Sequence, residues 1–120
     1  MAGEPQNTQT DLVFAALAHA ARRRILDLLV MAPGMTVKAV ASHFTISRIA
    51  VMKHLAALEQ ANLIISEKEG RERRLYFNPV PIQQIYDRWT DQYSAFWAGR
   101  LVDIQARVQE AAAEKGAKRA

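Results

Sequence analysis

The sequence predicts a mainly helical domain of the α+β class that carries one small β-hairpin. Three observations predict it. Residues 37–44 and 48–60 repeat apolar side chains at helical spacing on either side of the short turn Thr45-Ile46-Ser47. Residues 63–68 and 74–78 have strand composition around a charged stretch whose Gly70 supplies a turn. An aromatic-rich helical stripe then follows Pro79 and Pro81. Two helices at a tight turn, followed by a basic hairpin, spell a winged helix-turn-helix. In that arrangement one helix can enter a DNA major groove while the hairpin lies beside it.

The elements follow in order. Residues 1–9 are polar and read as a flexible tail, and residues 10–112 as one domain. A first short helix over residues 11–18 is apolar on more than one side through Leu12, Val13, Phe14 and Leu17, so it needs more than one neighbour. Residues 21–30 form a second helix, with Ile25, Leu28 and Leu29 on one face and Arg22, Arg23 and Arg24 at its start. Pro33-Gly34 ends it. Thr36 is placed to cap the third helix, whose stripe is Val37, Val40, Ala41 and Phe44. Ser47 is placed to cap the fourth, whose core stripe is Val51, Leu55 and Leu58. Advancing about 100° per residue puts Ile49, Met52, Lys53, Ala56 and Gln60 on its outer face. A long last helix spans residues 82–112, and residues 113–120 read as a second flexible tail. That helix carries both tryptophans, more aromatic area than one helix on a small domain needs. The stripe Trp89, Tyr93, Phe96, Trp97 and Leu101, with Leu12, Phe14 and Leu17 of the first helix, reads as the seam of a homodimer. A small-molecule effector pocket between two copies is the alternative use of the aromatics; the effector itself is unknown.

Composition narrows the function classes. The chain has no cysteine, so disulfides, thiol catalysis and cysteine-ligated metals are excluded. No basic-then-apolar leader opens it, and no apolar run approaches the ~20 residues of a membrane span, so a cytoplasmic protein without a membrane partner is expected. The net charge of +4 is unevenly placed. Residues 1–36 balance, residues 37–78 carry seven basic against four acidic groups, and residues 79–120 carry six against five. The excess thus falls on the segment that resembles a DNA reader, as attraction to phosphate requires. His19, His43 and His54 have no local metal-ligand spacing, no nucleophile constellation or glycine-rich phosphate loop is present, and neither enzyme activity nor a metal or cofactor is expected.

Residues 17–29 (LAHAARRRILDLL) and 47–64 (SRIAVMKHLAALEQANLI), followed by a basic wing and a long final helix, resemble the ArsR-type bacterial repressors over about residues 12–101. The final helix, DRWTDQYSAFWAGRL, is closer to the metal-independent members. The resemblance implies a winged-helix homodimer, joined through its first and last helices, that represses transcription at an imperfect palindrome. Thiol-type sensors of the family carry Cys-x-Cys in the third helix; here that helix reads Val37-Lys38-Ala39-Val40-Ala41. A second sensor class uses histidines with acids on the last helix, which here holds no histidine. Met52 stands where the family usually has a small polar residue.

The candidate DNA-binding residues are Ser47, Arg48, Ile49, Met52, Lys53 and His54 on the recognition helix, and Arg71 and Arg73 in the wing. Basic side chains can pair with guanine acceptors or phosphates, and apolar ones can meet thymine methyls. Lys68 and Arg74 are further wing charges, although Glu67, Glu69 and Glu72 alternate with them and offer strand salt bridges instead. The arginine triplet sits at a helix start, where the dipole disfavours cations. That cost suggests an outside phosphate for one and an acid such as Asp27 for another. The partner expected is an operator in double-stranded DNA. The competing reading is a winged-helix module that binds protein instead, which would need a neutral or acidic recognition face.

Overall fold

A computed structural model describes residues 4–90 and 95–119. Its elements are α1 (Glu4–Leu17), α2 (Ala20–Met31), β1 (Met35–Thr36), α3 (Val37–Ala41), α4 (Arg48–Gln60), β2 (Ile64–Glu69), β3 (Glu72–Phe77), α5 (Val80–Thr90) and α6 (Ala95–Arg119). Helix α1 begins within the stretch expected to be a tail, and α6 continues through residues 113–119. The single helix expected over 82–112 corresponds to two described helices, and Tyr93 lies outside the described residues. Packing divides the chain into two units, residues up to Ile85 and residues from Tyr86 onward.

The core of the first unit is aliphatic. Val13 and Ala16 of α1, Ile25, Leu26 and Leu29 of α2, Val40 of α3 and Val51, Leu55 and Leu58 of α4 are buried together with Ala61, Leu63, Ile64 and Leu75. Each large side chain so removed from water contributes about 1.5–3 kcal/mol before chain entropy is charged against it. The α4 stripe matches its expected periodicity. On α2 the buried face is Ile25, Leu26 and Leu29, while Leu28 is only half-buried, because α2 packs against β3 as well as against helices. Leu12 and Leu17 pack in part on this core, whereas Phe14 is exposed.

Local chemistry sets the boundaries. Thr36 Oγ1 accepts from the Ala39 amide at 3.1 Å and Ser47 Oγ from the Ala50 amide at 3.1 Å, so both expected N-caps are in place. Helix α4 ends in a Schellman motif: the Leu63 amide reaches Leu58 O and the Asn62 amide reaches Glu59 O, with Asn62 at φ 60°. Leu58 and Leu63, the two ends of the first of these bonds, are fully buried.

The sheet has three antiparallel strands in the order β1-β3-β2. The hairpin turns through Gly70 and Arg71, with Glu69 opposite Glu72. Gly70 has φ 63° while Arg71 keeps a negative φ, as a two-residue type II′ turn requires. The hairpin is therefore tighter than expected, with a loop of two residues rather than five. Strand β1 was not expected; Met35 pairs with Leu75 and Thr36 with Arg74, and the Gly34 amide donates to Leu75 O.

In the second unit Phe96 and Trp97 meet edge to face, centroids 6.2 Å apart at 78°. Trp89, Phe96 and Trp97 are 60%, 70% and 51% exposed, and Leu101, Val102 and Val108 are exposed with them. Among the described residues no helix is long and apolar enough to cross a membrane.

Candidate nucleic-acid interface

Helix α4 and the wing enclose an open groove of about 740 Å³. Arg48, Ile49, Met52, Lys53 and Ala56 line it from α4, Arg71, Glu72 and Arg73 from the wing, and Thr36, Val37 and Lys38 from the start of α3. The outer face expected for α4 is exposed as the rotation arithmetic requires, and Ile49 is 72% exposed. Five cations line the groove against one acid, so its field favours an anion. Lys38 was missed by sequence reasoning. Its signal was its position just after the Thr36 cap, on the first turn of the helix that leads into the turn.

Not every candidate lies on this surface in the same way. Ser47 is exposed at the N-cap; its oxygen accepts from Ala50, which leaves its hydroxyl hydrogen available to an outside acceptor. Arg71 is exposed at the hairpin turn. Arg73 faces the groove but is bound within the protein: its guanidinium pairs with the Glu59 carboxylate and donates to Ser66 Oγ at 2.7 Å, and Ser66 Oγ donates to Glu59 at 2.8 Å. Arg74 pairs with Glu69 and Glu72 and donates to Gly34 O, so its guanidinium is engaged by the hairpin and by the residue before β1.

His54 is turned away from the groove. Its Nδ1 accepts from Arg22 Nε at 3.2 Å, and its ring lies 6.2 Å from that of His19. Burial holds its pKa below the ordinary 6.5, and the charges of Arg22 and His19 push the same way. The helical period places His54 about 60° from Val51, on the core side, although it adjoins Lys53 in sequence.

The arginine triplet makes its contacts within the fold in this structure. Arg22 Nη1 donates to Ala15 O at 3.4 Å and Arg23 Nη1 to Leu17 O at 2.6 Å. The two cations that start α2 thus satisfy carbonyls at the C-terminal end of α1, where the dipole favours positive charge. Arg24 stacks over the Phe44 ring, 5.3 Å from its centroid. Among the described residues none of the three forms an ion pair with Asp27.

Known proteins of this kind bear out the fold and the class. A helix-turn-helix domain family matches residues 17–67. The uncharacterized HTH-type transcriptional regulator YuzN of Bacillus subtilis is 33% identical over 91 residues, 71% of this chain and 99% of that protein. The transcriptional repressor SdpR of the same organism is 41% identical over 59 residues, 49% of this chain and 64% of its own length. An ArsR-like transcriptional regulator from Rhodococcus sp. RHA1 superposes with a TM-score of 0.64 at 30% identity, covering 88% of this chain and 95% of that one. With a basic groove between recognition helix and wing, and with relatives matched over almost their full length, the chain belongs to the ArsR-type winged helix-turn-helix family of DNA-binding transcriptional regulators.

Proposed function

We propose that this regulator is a homodimeric, metal-independent repressor that acts in the cytoplasm by occupying an imperfect palindrome, without enzymatic activity. The observation that carries the reading is the groove itself, an exposed recognition face beside a wing, lined by Lys38, Arg48, Lys53, Arg71 and Arg73. Arg48 and Lys53 would meet base edges or flanking phosphates, Ser47 and Lys38 phosphates, and Arg71 the backbone or minor groove. A basic face of this kind is the opposite of what a protein-docking winged helix needs, so that alternative is not favoured.

Three further points support the finer parts of the proposal. The exposed aromatic and aliphatic side chains of α5 and α6, with Phe14 of α1, offer apolar surface of the kind that subunit contacts cover. A dimer would present two recognition helices to successive major grooves roughly 34 Å apart. The chain has no thiol with which to build a cysteine metal site. Repression is the activity named for SdpR, and blocking a promoter requires only binding.

Selection of the full-length protein against random duplexes, followed by mobility-shift titration at two salt concentrations, tests this. The expected outcome is an enriched palindromic motif bound as a dimer, with affinity falling steeply as salt rises and unchanged by zinc or arsenite. Failure to enrich any sequence, or a thiol-free metal response, would overturn it.

A further inference from the structure

We propose that Ile49 and Met52 read thymine C5-methyl groups, so that each half-site carries thymines beneath the start of α4, flanked by bases or phosphates held by Arg48 and Lys53. The proposal rests on the operator-binding reading above and deepens it. Its basis is a mismatch between exposure and chemistry. Ile49 is 72% and Met52 39% exposed, yet neither belongs to the core, whose α4 contribution is Val51, Leu55 and Leu58. Both line the same groove as Lys53 and Arg48, and Ala56 extends the apolar strip by another turn of the helix. Apolar side chains within a cationic rim match one surface of duplex DNA in particular: a major-groove edge where a thymine methyl stands among phosphates. The short side chain of Ala56 allows the duplex edge to approach α4 closely, and Ser47 caps the helix so that its first turn, with Arg48 and Ile49, stays formed at the surface.

The occupant also excludes alternatives. Cytosine lacks the methyl and offers an N4 donor, for which Ile49 has no acceptor and Met52 only a weak thioether sulfur; guanine offers acceptors suited to Arg48 and Lys53. Specificity from this face therefore divides into methyl contact at its apolar positions and guanine or phosphate contact at its basic ones.

The test uses the full-length protein and the duplex it selects from a random pool. Thymines in each half-site are replaced one at a time by deoxyuridine, which removes the methyl and keeps the Watson–Crick edge. Where a methyl is buried against Ile49 or Met52, affinity should fall about fourfold per methyl. Ile49→Ala or Met52→Ala should abolish that difference at its own position, binding the thymine and deoxyuridine duplexes equally. Arg71→Ala should weaken both duplexes alike and preserve the difference. A selected operator whose deoxyuridine versions all bind as tightly as the thymine original overturns the methyl readout while leaving DNA recognition intact. A pool from which nothing is enriched overturns recognition itself, and this proposal with it.

Discussion

Arg22 Nε donates to His54 Nδ1 across 3.2 Å, tying the start of α2 to the middle of the recognition helix. The bond requires a neutral imidazole with an unprotonated Nδ1. Partial burial, Arg22 and His19 all favour that neutral form. His54 is therefore a positioning residue that holds α4 against the helical core from behind, while Lys53 next to it faces the groove.

Acid should loosen this tie. A histidine whose folded pKa lies below its unfolded value stabilises the native state above the unfolded value, 6.5, and that contribution is lost as pH falls below 6.5 and through the lower folded pKa. His54→Gln keeps an acceptor but cannot titrate. Thermal melts at about pH 7.5 and about pH 5 should show the variant gaining on the wild type at the acidic end. An unchanged difference between the two proteins at both pH values would count against the role given to His54.

Glu59 restrains a wing cation. Its carboxylate pairs with Arg73, and Ser66 completes the triangle. Glu59→Gln should release Arg73 towards DNA, raising non-specific affinity and steepening the salt dependence by about one counterion. The stability cost should stay within about 1 kcal/mol, since the pair is partly solvent-exposed. Salt titrations of wild type and variant on a scrambled duplex read the effect directly; an identical slope would show that Arg73 has no access to phosphate.

Lys53→Ala and Arg48→Ala should each weaken operator binding by about 1–3 kcal/mol while leaving the urea midpoint unchanged, because both side chains are exposed. Arg71→Ala should instead weaken operator and scrambled duplexes alike. Operator titrations separate these patterns, and unaltered affinity in both recognition-helix variants would remove α4 from the interface.

Trp97→Ala or Phe96→Ala should shift the dimer equilibrium by ~3 kcal/mol towards monomer if these rings lie in the subunit seam. Sedimentation of the wild type over a range of concentrations sets the reference, and a wild type that is monomeric throughout would refute the seam.

Much of the fold was legible because its signals are local. The caps at Thr36 and Ser47 and the α4 stripe of Val51, Leu55 and Leu58 rest on short-range chemistry and helical period alone. Strand β1 was not legible. Two residues have no periodicity, and Met35–Thr36 becomes a strand only when β3 supplies partners some forty positions later. The arginine triplet hid its internal partners for a related reason. A dipole argument confined to α2 made it costly, whereas the carbonyls that accept from Arg22 and Arg23 belong to α1. Of the candidate site, the exposed face was readable from rotation, but the internal partners of Arg73 and His54 depended on contacts that cross between elements.

Thr36 ends β1 and caps α3 at once, while its neighbour Met35 is paired to the centre of the wing. A tilt of the hairpin away from the helices would pull on the same residue that seals the first turn of α3. The recognition helix and wing proposed to hold a duplex are therefore linked through one residue pair: DNA that displaced the wing would also strain the helix-turn-helix, so the protein should discriminate against operators whose local groove width does not suit both elements simultaneously.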